Sequence, residues 1–138
     1  DHIDRLHQTY GGPVVSEYDP RISAIVAVTP AFGVAATDDG LADVKVPMLF
    51  VEADTDEILH DHVNAAHFRN LLRGRAKFIK VKGAGHYSFL PKCTPYIAEN
   101  FSYLCRDFGQ DRDTIHRTVE QVVHRFFEKV QSGEIQGR

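Results

Sequence analysis

A histidine and a short run of carboxylates are the residues of this chain best suited to acid–base chemistry. His86 lies in "KFIKVKGAGHYSFL", residues 77–90, after an apolar-alternating run and two glycines. Asp54 and Asp56 lie in "VEADTDEIL", residues 51–59. A neutral imidazole is a competent base near pH 7 when a carboxylate on its far nitrogen holds it in one tautomer and stabilises the imidazolium that forms. The two segments therefore predict an acid–base pair, provided that the fold brings them together.

Three short apolar runs predict the strands that would position these residues. In "DPRISAIVAVTPAFG" the run Ile22–Val28 is nearly continuous, which is typical of a strand buried on both faces of a parallel sheet. A second strand is predicted at Val46–Val51, in "VPMLFVEAD". The third lies in "AKFIKVKG", where alternating lysines place it nearer an edge of the sheet.

The segments between and after these strands predict helices. "HDHVNAAHFRNLL" has an apolar helical face and is followed by Gly74 as a stop, and "PYIAENFSYLCRDFG" reads as one helix ending at Gly109. The clearest helix carries one broad apolar stripe from Ile115 to Val130, with Asp111 or Asp113 as its cap. Residues 33–45 read as a loop with room for one helical turn. The order predicts an α/β fold with a parallel sheet and flanking helices.

In open parallel sheets, ligands bind beyond the carboxyl ends of the strands. His86 follows the third predicted strand and Asp56 follows the second, with one strand–helix–strand unit between them. We therefore expect both side chains to reach the same edge of the sheet and meet. A histidine after a glycine turn, or an acidic run, is by itself more often structural than functional, and it is their joint placement that favours a working site.

Composition narrows the class of protein. The 138 residues fit one domain of ordinary globular make-up, 43% hydrophobic and 25% charged. A formal net charge of −3, with scattered Lys and Arg, argues against a nucleic-acid partner, and no apolar run is long enough to predict a membrane span. Cys93 and Cys105 fall in one helical-looking stretch, so we predict that they are small packing residues, neither a disulfide nor metal ligands. These features leave the compartment unassigned.

Two of these segments resemble the α/β-hydrolases. "PMLFVEADTDEIL" is similar to their Pro-led strand and acid turn, and "KFIKVKGAGHYSFL" to their final strand and histidine turn. "DPRISAIVAVTPAFG", "NAAHF" and the tail from "FLPKCTPY" onward resemble the dienelactone-hydrolase-like branch of predicted esterases, so the likeness runs from Asp19 to near the end. It implies the last three strands and closing helix of that fold.

The resemblance also implies roles for individual residues. Asp56 takes the place of the acid that orients the base, and His86 that of the general base, with Asp54 as a rival acid because Ala53 stands where a glycine is common. In the related platelet-activating-factor acetylhydrolases the acid follows the preceding strand, but Pro30 stands there in this chain, which favours Asp56.

The chain departs from the family in one respect, because it contains no G-x-S-x-G nucleophile elbow. Ser16 and Ser23 precede Asp56 without the glycine frame, and Ser88 and Ser102 follow it. Cys93 follows the histidine, the wrong side for a nucleophile in this chain order. We therefore expect residues 1–138 to be the C-terminal part of a hydrolase domain whose nucleophile lies upstream. Alone, the chain should not turn over esters, and with Ile22–Val28 as an exposed edge strand it should be marginally stable or self-associate.

The function implied by the resemblance is serine hydrolysis of a small ester or lactone through an acyl-enzyme, without a cofactor or metal. Two alternatives from other classes stay open. "HDH", residues 60–62, with His67 nearby has ligand types suited to zinc, and the whole chain could be a non-catalytic interaction module on a hydrolase scaffold. Tyr87 and Phe89 flank the base and are more often packing residues than substrate contacts.

Overall fold

A computed structural model of the chain describes residues 19–137, which form a three-stranded parallel sheet with helices on its faces. The predicted α/β class with a parallel sheet is therefore confirmed. The strand order is β1-β2-β3, and the bounds are β1 Ile25–Val28, β2 Met48–Ala53 and β3 Ala76–Val81.

The helices follow the predicted order along the chain. Their bounds are α1 Asp38–Ala42, α2 Ala65–Leu71, α3 Pro95–Asn100 and α4 Arg112–Gln131, with single 3₁₀ turns at Gly33–Ala35, Asp61–Val63, His86–Phe89 and Ser102–Cys105. Asp111 caps α4 by accepting a hydrogen bond from the Thr114 backbone N–H, as predicted from its position. No helix in residues 19–137 combines the length and the apolar character needed to cross a bilayer.

The central strand β2 organises the core, and all six of its residues are buried. Because side chains alternate along a strand, its residues divide between two clusters. Leu49, Val51 and Ala53 pack with Ile115 and Phe126 of α4. On the opposite face, Met48 and Phe50 pack with Leu72, and partly buried Phe68 and Phe78 join them. The predicted burial of this strand on both faces is confirmed, but the strand begins and ends two residues later than predicted.

The outer strands are less buried than the centre. β3 is at an edge of the described sheet, as its lysines predicted. β1 is at the other edge, but its predicted burial on both faces is wrong: Ile25, Val26 and Ala27 are only partly buried and Val28 is 38% exposed. Helix α4 contacts β2 and β3, and within residues 19–137 β1 pairs with β2 alone. The edge position of β1 agrees with the sequence, while self-association through it stays a prediction.

The two cysteines form a disulfide, which corrects the prediction that they are packing residues. Their Cα atoms are 5.8 Å apart across a sequence separation of 12 residues. One continuous helix would place them about 18 Å apart, since each helical residue rises about 1.5 Å. The predicted helix to Gly109 is therefore wrong as well: α3 ends at Asn100, Phe101 leaves the helical region, and a 3₁₀ turn brings Cys105 back to Cys93.

Candidate active site

The carboxyl ends of β2 and β3 are joined beyond the strands themselves. Ala53 pairs with Val81 as the last residues of the register. The backbone then continues the pairing: the Asp54 N–H donates to the Val81 carbonyl at 3.2 Å, and the Thr55 N–H donates to the Ala84 carbonyl at 2.9 Å. These bonds hold the turn that contains Asp56 against the turn that contains His86.

Asp56 and His86 meet at this edge of the sheet. The Asp56 Oδ2 atom lies 3.0 Å from the His86 Nδ1 atom, and the two side chains are only 15% and 21% exposed. The other carboxylate oxygen, Oδ1, accepts the backbone N–H groups of Ile58 at 3.0 Å and Leu59 at 2.7 Å. The carboxylate is therefore oriented on both sides, and the predicted contact with the imidazole is present.

The rival acid, Asp54, does not contact the imidazole. Its Oδ2 atom accepts the backbone N–H of Gly83 at 3.4 Å, and the residue is exposed. Asp54 thus braces the start of the histidine turn, whereas Asp56 is the carboxylate hydrogen-bonded to the ring. The geometry separates two candidates that the sequence left open.

Glu57 is a site residue that the sequence analysis missed. Its Oε2 atom accepts the backbone N–H of His86 at 2.9 Å, so two consecutive carboxylates hold one histidine, by its ring and by its backbone. The sequence feature that could have identified Glu57 is its position directly after Asp56. Which carboxylate of that turn reaches which atom depends on the turn's backbone conformation, and residue types alone do not reveal it.

The two glycines before the histidine have different physical roles. Gly83 has a φ of +70°, in the left-handed region that favours glycine. Gly85 is extended, but a Cβ there would lie 2.3 Å from the Phe108 ring and 2.8 Å from Glu57 Oε2. The first glycine turns the chain, and the second lets Phe108 and the acid turn approach His86 closely.

We expect Gly85→Ala to destabilise the protein by about 1–3 kcal/mol, because the added methyl group must displace an aromatic ring in a packed region. It should also shift the NMR signals of His86. The matched control is Gly74→Ala: Gly74 is left-handed at φ +71° with open space around it. It should cost about 1–2 kcal/mol of backbone strain and leave the His86 signals in place. Urea unfolding and histidine spectra measure both effects, and unchanged His86 signals in Gly85→Ala would contradict the packing argument.

The serines of the described residues do not supply a nucleophile to His86. Ser23 precedes β1 and so lies at the amino-terminal ends of the parallel strands, whereas His86 lies at their carboxyl ends. Ser88 is fully buried, and its Oγ accepts the Gly85 N–H at 2.9 Å. Ser102 and Ser132 make no hydrogen bond to His86 within residues 19–137. Ser16, the remaining candidate from the sequence, lies outside the described residues.

The histidines proposed for zinc do not converge on one point. The His60 and His62 rings stack with centroids 6.0 Å apart, while His67 Nε2 is 3.0 Å from the Ala36 carbonyl oxygen and ties α2 to the loop after β1. Across residues 19–137 no group of three or more His, Cys, Asp or Glu side chains is placed to hold a metal ion.

The two aromatic residues that flank His86, Tyr87 and Phe89, differ in what they contact. Phe89 packs against the core cluster on the α4 face, so it has the packing role predicted for it. The ring of Tyr87 lies edge-on to the His86 ring, with centroids 5.1 Å apart.

Beside Asp56, Thr29 and Pro30 of the loop after β1 help to line a cavity of about 190 Å³. Asp56 therefore lines this cavity, whereas the His86 ring is in contact with Tyr87 and is not among the lining residues.

Comparison with protein-family models, curated proteins and solved structures finds no match to this chain.

Proposed function

We propose that this chain supplies the acid and the base of a serine hydrolase that cleaves small esters or lactones. The observation that carries the proposal is the 3.0 Å contact between Asp56 Oδ2 and His86 Nδ1 at the carboxyl ends of neighbouring parallel strands. A carboxylate on Nδ1 favours the tautomer with its proton on that nitrogen, which leaves the lone pair of Nε2 free to accept one. The resemblance to the α/β-hydrolases points to the same two residues.

The proposed chemistry needs a serine from outside residues 19–137, which the resemblance places before Asp56 in chain order. Its Oγ attacks the carbonyl carbon while His86 Nε2 takes the Oγ proton, and Asp56 stabilises the resulting imidazolium. His86 then gives that proton to the leaving alcohol oxygen, and the acyl-enzyme forms. Water attacks the acyl-enzyme by the same sequence, with His86 again accepting and returning a proton. No step calls for a cofactor or a metal ion.

The tautomer of His86 tests this proposal in the 138-residue chain itself. Long-range ¹H–¹⁵N spectra at about pH 8, where imidazole is mostly neutral, should show His86 protonated on Nδ1 with a bare Nε2. Asp56→Asn should move the proton to Nε2, because the amide NH₂ can donate to Nδ1. Asp54→Asn is the matched control and should leave the tautomer unchanged, since Asp54 does not contact the ring.

A wild-type His86 protonated on Nε2 would contradict the proposal, because that nitrogen could not take a proton from a serine. The non-catalytic interaction module is the competing function, and it is favoured by the lack of a nucleophile beside His86 within residues 19–137. Reading the gene upstream of the Asp1 codon separates the two. An in-frame G-x-S-x-G elbow supports the hydrolase, and a start codon directly before Asp1 supports the module.

A further inference from the structure

The segment between the histidine turn and α4, residues 91–107, carries a concentration of exposed aromatic side chains. We call this segment the excursion. Tyr96 is 66% exposed, Tyr103 is 54% exposed and Phe101 is 40% exposed. Neither α3 nor the 3₁₀ turn Ser102–Cys105 has a fully buried residue. The excursion therefore contributes little to the core, and its place in the fold needs another explanation.

The two ends of the excursion are nevertheless fixed to each other and to α4. The Cys93–Cys105 disulfide closes it covalently. The Arg112 side chain, 4% exposed, donates to the carbonyls of Pro91 and Leu104, one on each arm of the excursion. It also pairs with Asp107 at 3.2 Å. One buried guanidinium thus joins both arms to the start of α4, so a segment with almost no core of its own is kept in one position.

That position brings Tyr103 against Tyr87, which in turn contacts His86. The Tyr103 ring meets the Tyr87 ring edge-on with centroids 5.8 Å apart, and Tyr87 meets His86 edge-on at 5.1 Å. The three rings form a continuous row from the half-exposed Tyr103 to the imidazole. We call Tyr87 and Tyr103 the tyrosine wall. Tyr96, in contrast, makes no ring contact with another aromatic side chain among the described residues, although it lies on the same excursion.

We propose that the tyrosine wall binds a planar apolar group of the ester or lactone, and that Tyr103 determines specificity for substrates with such a group. The proposal rests on the function proposed above, because that function places the reacting carbonyl at His86. Aromatic rings attract other flat groups through offset and edge-to-face contacts, and tyrosine adds a hydroxyl that tolerates water. Because the Tyr87 ring centroid is 5.1 Å from that of His86, an apolar group attached to a carbonyl at the imidazole has the wall as a neighbour.

The charges at the site further restrict the kind of ligand that the wall would bind. Asp54, Asp56 and Glu57 all belong to the acid turn beside His86. An anionic substituent there would meet like charge at short range, which disfavours binding. The preferred ligand is therefore neutral near the reacting carbonyl, such as an ester of an aromatic or unsaturated acid.

Binding of benzamide, with acetamide as the matched probe, tests this inference in the 138-residue chain. Both are neutral carbonyl compounds, and only benzamide has a ring. The chain has no tryptophan and five tyrosines, so tyrosine fluorescence detects binding, and NMR shifts of His86 and Tyr103 locate the ligand. We expect benzamide to bind saturably and acetamide to bind more weakly. Tyr103→Ala should weaken benzamide binding about two- to tenfold, and Tyr96→Ala should leave it unchanged.

Equal binding of benzamide by wild type and Tyr103→Ala would overturn the inference, and so would an equal loss in Tyr96→Ala. Both tyrosines are exposed, so their replacement should not unfold the protein, and circular dichroism checks this. The result is separable from the test of the proposed function, since ligand binding needs no nucleophile. A wrong His86 tautomer with intact benzamide binding would count against the hydrolase alone. A correct tautomer with Tyr103-independent binding would count against the wall alone.

Discussion

Replacing His86 with alanine, in a form of this protein that carries a nucleophile elbow, is expected to lower ester turnover by about 10⁴- to 10⁶-fold. Alanine removes the group that we propose takes the serine proton, so the attacking oxygen stays a neutral, weakly nucleophilic hydroxyl. His86 is 21% exposed and contributes little to the core, so the fold should survive. Hydrolysis of a 4-nitrophenyl ester measures the rate, and thermal melting checks the fold.

The neighbouring carboxylates provide graded controls for that experiment. Asp56→Asn should cost about 10⁴-fold, because the imidazole then favours the wrong tautomer. Asp54→Asn should retain nearly the wild-type rate, since its contact is with the Gly83 backbone rather than the ring. A His86→Ala enzyme with close to normal turnover would remove this residue from the mechanism, and equal losses in the two aspartate variants would remove the distinction between the acids.

Replacing Arg69 with methionine is expected to cause the second large effect, a loss in the free energy of unfolding. Glu52 lies on β2 and is 4% exposed, and both its carboxylate oxygens accept hydrogen bonds from the Arg69 guanidinium of α2. Burial acts to lower the pKa of Arg69, but its bonds to Glu52 and Asp61 outweigh this and raise it. Removing the guanidinium leaves a buried carboxylate without a counter-ion, which should cost about 3 kcal/mol in the free energy of unfolding.

A double variant separates the loss of the ion pair from the loss of packing. Arg69→Met combined with Glu52→Met removes both charges and fills similar volume, so it should recover most of the lost stability. Arg73→Met is a control for the loss of a nearby exposed arginine and should change stability by less than about 0.5 kcal/mol. Urea unfolding measures all three, and a single Arg69 variant as stable as wild type would show that Glu52 finds another partner or water.

Much of the scaffold follows from local patterns in the sequence. The continuous apolar run of β2 predicts a strand buried on both faces because no polar side chain but Glu52 interrupts it. The lysines of β3 predict an edge, and the apolar stripe of α4 predicts its length and packing face. The meeting of Asp56 and His86 follows from parallel topology, since the carboxyl ends of neighbouring strands share one edge.

The parts that escaped prediction depend on contacts between distant segments. Cys93 and Cys105 occupy a stretch with helical character, and only the reversal at Phe101 reveals that they meet. Tyr103 reaches the row of rings at His86 through that same reversal. Glu57 is one of three neighbouring carboxylates, and its bond to the His86 backbone depends on how the acid turn is folded. Residue types and spacing do not contain this information.

The disulfide makes the covalent closure of the excursion depend on the redox state of the compartment. Glutathione and thioredoxin keep most thiols reduced in the cytosol, whereas disulfides persist in secreted and periplasmic proteins. In a reducing environment the excursion would lose a covalent closure worth about 3 kcal/mol in a loop of this size, while the hydrogen bonds of Arg112 would still join its arms. The contact between Asp56 and His86 is held by other bonds, so we expect reduction of the disulfide to change ligand binding at Tyr103 while leaving His86 in place.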